Sequence, residues 1–321
     1  MRRKMNHMYY LTSFFIILLL ISEFSCSGET ITKQPPTTLI VSVDDSGDYT
    51  SIQQAIENAI EGSTIIIKPG TYSELLNIEK SIILLGEDKD TTFIISTSKP
   101  NGCAINIKAS YVTISGFTIS NLASGLYATA IKITSSHVTI SNCNIQNNPI
   151  GIANWGYVNR IENCYFSDCS DEGIFFVGTK ESSCEKNVIE NCQFTRNCDG
   201  IEFFNAQYNN IINCNFFSNT HSGLSFVGDA DANSGNTIGN CRIYENVVYG
   251  IYLSGSQNQI IECSVVDNAN GNVVVTKNSL NNNIQIHESS QTSLLKIQRQ
   301  PLRNIIHTLT TFFQIVRLRY Q

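Results

Sequence analysis

The stretch 189–216, IENCQFTRNCDGIEFFNAQYNNIINCNF, decides the fold because it holds one unit of a repeat and the start of the next. Its signature is an isoleucine followed within three residues by a cysteine, usually with Asn before the cysteine. The steps between successive signature cysteines are 21, 28, 22, 27 and 22 residues. These cysteines are Cys143, Cys164, Cys192, Cys214, Cys241 and Cys263. A repeat of nearly constant length in this range predicts a solenoid.

Short alternating apolar pairs predict that the solenoid is built from strands. Ile201 with Phe203, and Cys214 with Phe216, alternate with the period of two that marks one buried strand face. Asn, Gly, Ser and Asp break the strands and favour turns. Because no helix-length pattern intervenes, the sequence predicts an all-β parallel β-helix with coils about 4.8 Å apart.

Stacked coils should place like residues over like. We expect the asparagine before each cysteine to form an interior ladder and the cysteines to form a column of thiols in the core. The segment 104–117 is the same unit, with Phe117 at the cysteine position. Extra residues around Thr179–Lys186 and Gly228–Gly235 lengthen one turn on alternate coils and should project from one edge, where binding often occurs.

The chain divides into four segments by composition. Residues 1–26 read as a signal peptide, with three basic residues before an apolar run, and an uncleaved anchor is the alternative. Residues 27–38 form a polar linker, and residues 39–288 the β-helix domain. A helix predicted over Tyr49–Ile60, with a capping box at Thr50 and Gln53, would cover the open first coil.

The tail 289–321 carries five basic residues and no acidic one. Apolar residues from Leu302 to Val316 recur at helical spacing. This predicts a basic amphipathic helix that either caps the last coil or lies on a membrane or a partner.

The net charge limits the kinds of molecule that could bind this chain, and the cysteine positions limit its disulfides. Residues 27–288 carry 13 basic and 26 acidic residues, a net charge of −13, which excludes nucleic acid as the partner of the coil body. Stacked cysteines that point the same way approach each other poorly for disulfides. Of the five other cysteines, Cys169 and Cys198 lie on neighbouring turns and could form a disulfide.

Four acidic residues are the catalytic candidates: Asp171, Glu172, Asp199 and Glu202. The expected register stacks Glu172 against Asp199, with Glu202 beside them. Carboxylates this close raise one pKa, which suits general acid catalysis, or hold a cation. The alternative interpretation is a solvated acidic rim without a role.

Side chains around these acids are the candidates for substrate binding. The register places aromatic, basic and histidine side chains on the neighbouring coils, and aromatic rings can stack on sugars. These candidates are Phe175, Arg196, His221, Tyr249 and Tyr252.

A candidate Ca²⁺ site lies in the second lengthened turn. Asp229, Asp231 and Asn233 place oxygen ligands at alternate positions ahead of Gly235, as calcium loops do. That glycine comes one residue late, and Asn240 stands where such loops have a bidentate glutamate. A plain polar turn is the alternative.

The segments Asp44–Tyr49, Ile52–Ile56 and Pro69–Glu74 resemble the opening of pectinesterases. The repeats are similar to the right-handed parallel β-helix (pectin-lyase-like) superfamily, especially secreted repeat proteins related to the periplasmic copper-maturation (NosD-like) family. The resemblance covers roughly residues 40–280. It implies a right-handed single-stranded β-helix, and it leaves the activity open because this fold carries many.

The catalytic signatures of the enzymes are missing. The Asp-Phe-Ile-Phe-Gly and Arg-Pro-Trp motifs of pectinesterases are absent, and the single tryptophan, Trp155, has a different context. The Gly-His-Gly motif of polygalacturonases and the Asp-Pro-His-Glu motif of mannuronan epimerases are also absent. We therefore expect an exported protein that binds carbohydrate or surface partners. A polysaccharide lyase or hydrolase is the first alternative, and an accessory factor in envelope metalloenzyme maturation, suggested by the resemblance, is the second.

Overall fold

The computed structural model describes residues 35–179, 184–229, 231–287 and 295–298, the last as backbone. Nearly all regular structure in these residues is short β-strand, with one helix, α1 (Ile52–Asn58). In chain order the strands are β1 (Thr38–Val41), β2 (Thr64–Ile67), β3 (Gly70–Tyr72), β4 (Leu76–Ile78), β5 (Ile83–Gly86), β6 (Thr92–Ser96), β7 (Cys103–Ile107), β8 (Thr113–Ser115), β9 (Thr118–Asn121), β10 (Thr129–Ile133), β11 (Thr139–Ser141), β12 (Asn144–Gln146), β13 (Ile150–Asn154), β14 (Arg160–Glu162), β15 (Tyr165–Ser167), β16 (Glu172–Val177), β17 (Cys184–Glu185), β18 (Val188–Glu190), β19 (Gln193–Thr195), β20 (Asp199–Phe204), β21 (Ala206–Gln207), β22 (Asn210–Ile212), β23 (Asn215–Phe217), β24 (Ser222–Val227), β25 (Thr237–Gly239), β26 (Arg242–Tyr244), β27 (Tyr249–Leu253), β28 (Gln259–Val266), β29 (Gly271–Thr276), β30 (Asn283–His287) and β31 (Leu295–Gln298).

Every strand pairs in parallel with the equivalent strand of the next coil, so the predicted parallel β-helix is confirmed. One sheet has ten strands in the order β4-β7-β10-β13-β16-β20-β24-β27-β29-β31. A 19-stranded sheet forms the other sides of the coils as two stacks that share β28, and β17 and β21 make a small separate pair. A typical coil therefore contributes three strands, as β14, β15 and β16 do.

The core consists of columns of like residues. Phe166, Phe194 and Phe216 occupy equivalent positions on consecutive coils and stack with ring centroids 4.7 Å apart and planes within 6° of parallel. Phe203 and Phe226 make a second stack at 4.2 Å. All five rings are fully buried, and this apolar burial provides the main driving force for folding.

The predicted thiol column is confirmed. All six signature cysteines are buried and free, and each thiol donates to the carbonyl oxygen two residues earlier over 3.1–3.3 Å. Phe117 occupies the cysteine position one coil below Cys143, since its carbonyl accepts from Asn144 as that of Cys143 does from Tyr165. Cys169 and Cys198 are also free, so the disulfide considered for them is not formed.

The prediction of an interior ladder from the asparagines before the cysteines is wrong. These residues have φ between 51° and 56° and are exposed. The chain bends sharply between two strands at this position, and asparagine tolerates the left-handed backbone that the bend requires. Their side chains therefore point outward while the following thiols point into the core. They are Asn142, Asn163, Asn191, Asn213 and Asn240.

Two other columns of asparagines form interior ladders at the remaining corners. In each, the side-chain oxygen of one asparagine accepts from the backbone N–H of the equivalent asparagine on the preceding coil. The first column is Asn159, Asn187, Asn209, Asn236, Asn258 and Asn282, and the second is Asn197, Asn219, Asn246 and Asn268. These amides satisfy backbone groups that the turns would otherwise leave unpaired.

The N-terminal helix covers the first coil as predicted, although it is shorter and differently capped. Helix α1 buries Ile52, Ala55 and Ile56 in the same core cluster as β1 and β2. Its N-cap is Ser51, and Glu74 accepts from the backbone N–H groups of Ile52 and Gln53 over 2.9 and 3.0 Å. A carboxylate from the neighbouring coil thus replaces the expected capping box, and it interacts favourably with the helix N-terminus.

Several predicted segments lie wholly or partly outside the described residues. The signal peptide (1–26) and the amphipathic helix (302–316) belong to them. Within the predicted tail, β31 pairs with β29 and is the last strand of the ten-stranded sheet. No helix within the described ranges is long and apolar enough to cross a membrane.

Candidate functional site

The catalytic candidates lie on the outer face of the ten-stranded sheet. In β16, Ile174 and Phe176 belong to the core, whereas Phe175 and Val177 belong to a separate apolar cluster outside it. The outward positions are aligned across strands, so that Phe175 pairs with Glu202. Ala153, Phe175, Glu202, Ser225 and Tyr252 make one continuous outer row.

The register predicted for the acidic residues is confirmed. Glu172 and Asp199 are direct partners at the first positions of β16 and β20. Glu172, Asp199 and Glu202 are buried, and Asp171 is half-buried beside them. We call these four residues the acidic cluster (Asp171, Glu172, Asp199, Glu202).

Burial and mutual repulsion change the ionisation of this cluster. Burial raises the pKa of Glu172 well above its ordinary value, and the neighbouring charges of Asp171 and Glu202 add to the shift. Burial likewise raises the pKa of Glu202, with Asp199 and Asp171 contributing. Because the charged form is disfavoured in both, these two carboxyls hold protons at pH values where exposed glutamates are ionised.

His221 is positioned by the acidic cluster. Its Nδ1 lies 2.8 Å from Oδ1 of Asp199, which also accepts from the backbone N–H of Ser222 over 2.7 Å. Burial lowers the pKa of His221, but the hydrogen bond and charge of Asp199 outweigh it, so that the pKa is raised overall. The contact through Nδ1 leaves Nε2 available for proton transfer. The Ser222 hydroxyl approaches the same Nδ1 atom, so the three residues do not form a nucleophilic triad.

Aromatic rings, the half-buried Tyr249 and the buried Tyr252, share the outer face with the acidic cluster. Tyr249 meets His221 edge to face at 6.1 Å and stacks on Tyr252 at 5.5 Å. Both tyrosines, and the buried Phe175, were predicted as binding residues, and the structure brings them to the same face.

Three further residues at this face were missed by sequence reasoning. Tyr127 lies close enough to Asp171 and Glu172 for their charges to add to the rise in its pKa, which burial dominates. Trp155 packs against the outer apolar cluster, and the ammonium of Lys132 lies 5.1 Å from its ring centre. The available signal was position, since Lys132 pairs with Ala153 in the outer row.

Arg196 is engaged elsewhere. It makes a two-pronged ion pair with Asp168 on the preceding coil, with both N–O distances 2.7 Å. The guanidinium lowers the pKa of Asp168. This pairing occupies the end of Arg196, so its predicted role in substrate binding gains no support from its position.

The candidate Ca²⁺ residues are arranged as a polar turn. Asn233 is fully buried, and its amide bonds backbone groups of Ala206, Val227 and Ser254. Asp229 and Asp231 are exposed. Within the described part of the chain, no group of three or more His, Cys, Asp or Glu side chains is arranged to hold a metal ion.

The two lengthened turns lie at the other end of the strands from the acidic cluster. They follow Val177 and Val227, the last residues of β16 and β24, whereas Glu172 and Asp199 begin their strands. The five-residue separation along β16 corresponds to about 17 Å. The loops and the acidic cluster are therefore opposite borders of one outer face.

Comparison with known proteins places this geometry in a family. A family model described as "Right handed beta helix region" matches residues 81–228 and 156–290. The chain belongs to this right-handed β-helix family. One relative of this β-helix protein is a cell surface glycoprotein of Methanothermus fervidus, 30% identical over 116 residues. That match covers 36% of this chain and only 18% of the glycoprotein.

Solved structures confirm the pectin-lyase-like fold of this β-helix protein. The A-module of mannuronan C-5 epimerase AlgE4 from Azotobacter vinelandii has a TM-score of 0.59 at 15% identity, covering 81% of this chain and all of that module. Carrot pectin methylesterase has a TM-score of 0.51 at 16% identity, covering 83% and 89% of the two chains. ORF18 of Geobacillus virus E2 has a TM-score of 0.62 at 18% identity, covering 78% and 57%. Likeness at these identities shows the fold alone.

Proposed function

We propose that this protein is exported and binds polysaccharide at the acidic cluster and the aromatic rings beside it. A signal-like start, a cell surface glycoprotein among its relatives and carbohydrate-active enzymes among its structural neighbours support this. Many activities share this fold, so the site carries the argument.

The observation that carries the proposal is the burial of three neighbouring carboxyls on the outer face that also carries the aromatic rings. Stacking of like-charged residues is unfavourable, and burial adds to the cost. A sheet needs no such arrangement for its stability. Carboxyl groups that accept from or donate to sugar hydroxyls, next to tyrosines that stack on sugar rings, account for it.

A panel of neutral, acidic and amino polysaccharides, measured by calorimetry, tests the proposal. We expect one class to bind the parent protein and to lose about tenfold or more in affinity in Tyr249→Ala and Glu202→Gln, because each loses a contact at the site. Tyr208→Ala, which removes an exposed tyrosine beside the second lengthened turn, at the end of the strands away from the acidic cluster, is the matched control and should bind normally. Absence of binding across the panel, or equal loss in the control, contradicts the proposal.

Acid–base catalysis is the second candidate function. It is favoured by one observation: Asp199 orients His221 and also adds its charge to burial, the larger cause, in raising the pKa of Glu202. His221 Nε2 can accept a proton from a sugar carbon or hydroxyl while Glu202 or Glu172 donates one to a leaving oxygen, as lyases and hydrolases require.

Release of unsaturated or reducing ends from the bound polysaccharide tests this candidate. His221→Asn should lower turnover by at least a hundredfold while binding changes little, because only proton transfer is lost. Binding without any product in the parent protein leaves a binding protein and removes the catalytic candidate.

A further inference from the structure

One carboxyl oxygen of the acidic cluster has no hydrogen-bond partner among the described residues. Glu172 is 4% exposed, and its Oε2 atom makes no hydrogen bond within that part of the chain. A buried, unsatisfied carboxyl oxygen is costly, and stable folds rarely retain one without a reason. The deficit therefore points to a hydrogen-bond partner from outside the described residues.

The acidic groups around Glu172 favour a positively charged partner. Asp171, Asp199 and Glu202 act on its pKa from the same coil and the next one, and Tyr127 lies near from a preceding loop. The Cys198 thiol also lies within the field of Asp199 and Asp171, and its pKa is raised to about 12, mainly by burial. The imidazole of His221 is engaged with Asp199. A positively charged donor would be stabilised by this cluster, whereas a uronate would be repelled.

We propose that the polysaccharide bound at this face carries free amino groups, and that a sugar ammonium donates a hydrogen bond to Oε2 of Glu172. This inference rests on the proposed function and specifies its ligand. An ammonium offers three donors and can bond more than one carboxyl oxygen of the cluster. A charge-assisted hydrogen bond of this kind is roughly twice as strong as one from a sugar hydroxyl.

The proposal has a consequence that a neutral ligand does not share. The pKa of Glu172 is raised in the free protein because burial, together with the charges of Asp171, Glu202 and Asp199, makes its ionisation unfavourable. An ammonium at Oε2 favours the ionised form and expels the carboxyl proton to solvent. Binding of an amino glycan should therefore release protons, whereas binding of its N-acetylated counterpart should not. The half-buried side chains of Asp171 and Tyr127 border Glu172 and must shift to admit the ligand.

Calorimetry with short glucosamine oligomers and the matching N-acetylglucosamine oligomers tests the inference. Titrations are run with EDTA, below the pKa of the sugar amine, in two buffers of different ionisation heat. We expect the amino oligomer to bind about tenfold or more tightly, with net proton release. Equal affinities, or no proton release with the amino oligomer, overturn the inference.

Variants separate this site from the general attraction of an acidic protein for a cation. Glu172→Gln should lose both the preference and the proton release, whereas Glu262→Gln removes an exposed carboxylate on the other sheet and should retain both. Retention of the preference in Glu172→Gln overturns the inference, and if this variant fails to fold, proton release by the parent protein still decides. Binding of neutral oligomers without a preference for amines refutes the inference and leaves the proposed function intact. Absence of binding to every glycan class refutes both.

Discussion

Asn219→Ala should destabilise the protein far more than Asn213→Ala, although the two residues are neighbours on one coil. The Asn219 oxygen accepts from both the backbone N–H and the side-chain amide of Asn197, each over 3.1 Å. Its own amide donates to the carbonyl of Phe194 and the side chain of Asn246 over 3.2 and 2.9 Å. Asn213 is exposed, and its side chain accepts from Asn240 at the surface.

The expected difference follows from the groups left unpaired. Alanine at position 219 leaves two donors of Asn197 without partners and removes one donor from the Phe194 carbonyl. At about 1–3 kcal/mol for each buried unsatisfied group, with some relief from water entering the vacated space, the cost is about 3–5 kcal/mol. Asn213→Ala instead places alanine in a left-handed conformation at φ 56°, which costs about 1 kcal/mol.

Urea unfolding followed by far-UV circular dichroism measures both variants. A solenoid can unfold in stages, so the two variants are compared at the transition that includes the coils around residues 190–250. We expect the larger shift in midpoint for Asn219→Ala. An equal or larger shift for Asn213→Ala would support the interior ladder predicted from the repeat signature. It would refute the assignment of Asn219 to the interior and of Asn213 to the surface.

Three further predictions concern ionisation, thiol access and packing. Glu172 and Glu202 have raised folded-state pKa values, so the stability present below pH 4.5 is lost as pH rises through those values. The melting temperature should therefore fall with rising pH, and Glu202→Gln should flatten the profile; an unchanged profile contradicts the shift. In a Cys26→Ser background, a thiol reagent should reach only the partly exposed Cys103 and Cys198 in the native protein, and rapid reaction of more thiols would refute a buried column. Gly200→Ala places a Cβ 2.5 Å from the carbonyl oxygen of Gly223 and should cost about 1–3 kcal/mol in the same urea assay; an unchanged midpoint would show that the coils can separate locally.

Periodicity was sufficient to predict the architecture. Cys192 and Cys214 lie 22 residues apart and occupy equivalent positions on adjacent coils, because one-residue slips in a coil would turn its apolar side chains outward. For the same reason the pairing of Glu172 with Asp199 could be predicted from spacing alone. Register is set by the whole repeat, so it can be predicted without knowledge of individual contacts.

The direction of each polar side chain was less predictable. An asparagine can serve equally as a left-handed turn residue or as an interior hydrogen-bonding group, and both uses appear here. The signature Asn191 serves the first use, whereas Asn197, five residues after Cys192, serves the second. The recurrence of asparagine five residues after the signature cysteines, as in Asn219 and Asn246, was the available signal.

Side-chain contacts that do not repeat from coil to coil could not be predicted from the sequence pattern either. Helix α1 is capped by Glu74, 22 residues away from Ile52, because the next coil returns the chain to the helix N-terminus. Likewise Arg196 pairs with Asp168 on the preceding coil rather than joining the acidic cluster three residues later. Both contacts depend on which side of a corner a long side chain turns to, and spacing carries no information on that.

The same register that stabilises the core makes the acidic cluster informative. Inward columns gain from repetition, since Phe203 lies flat on Phe226 and both lose contact with water. Outward rows face no such requirement, and a soluble coil can place any polar residue there at little cost. Glu202 instead stands buried between Phe175 and Ser225, with Glu172 and Asp199 close by, where repetition is penalised. Neutral replacements such as Glu202→Gln should therefore stabilise the fold at neutral pH while weakening ligand binding. These opposite effects on stability and on binding distinguish a binding site, which retains buried acidic groups at a cost in stability, from a solvated rim, in which both effects would be small.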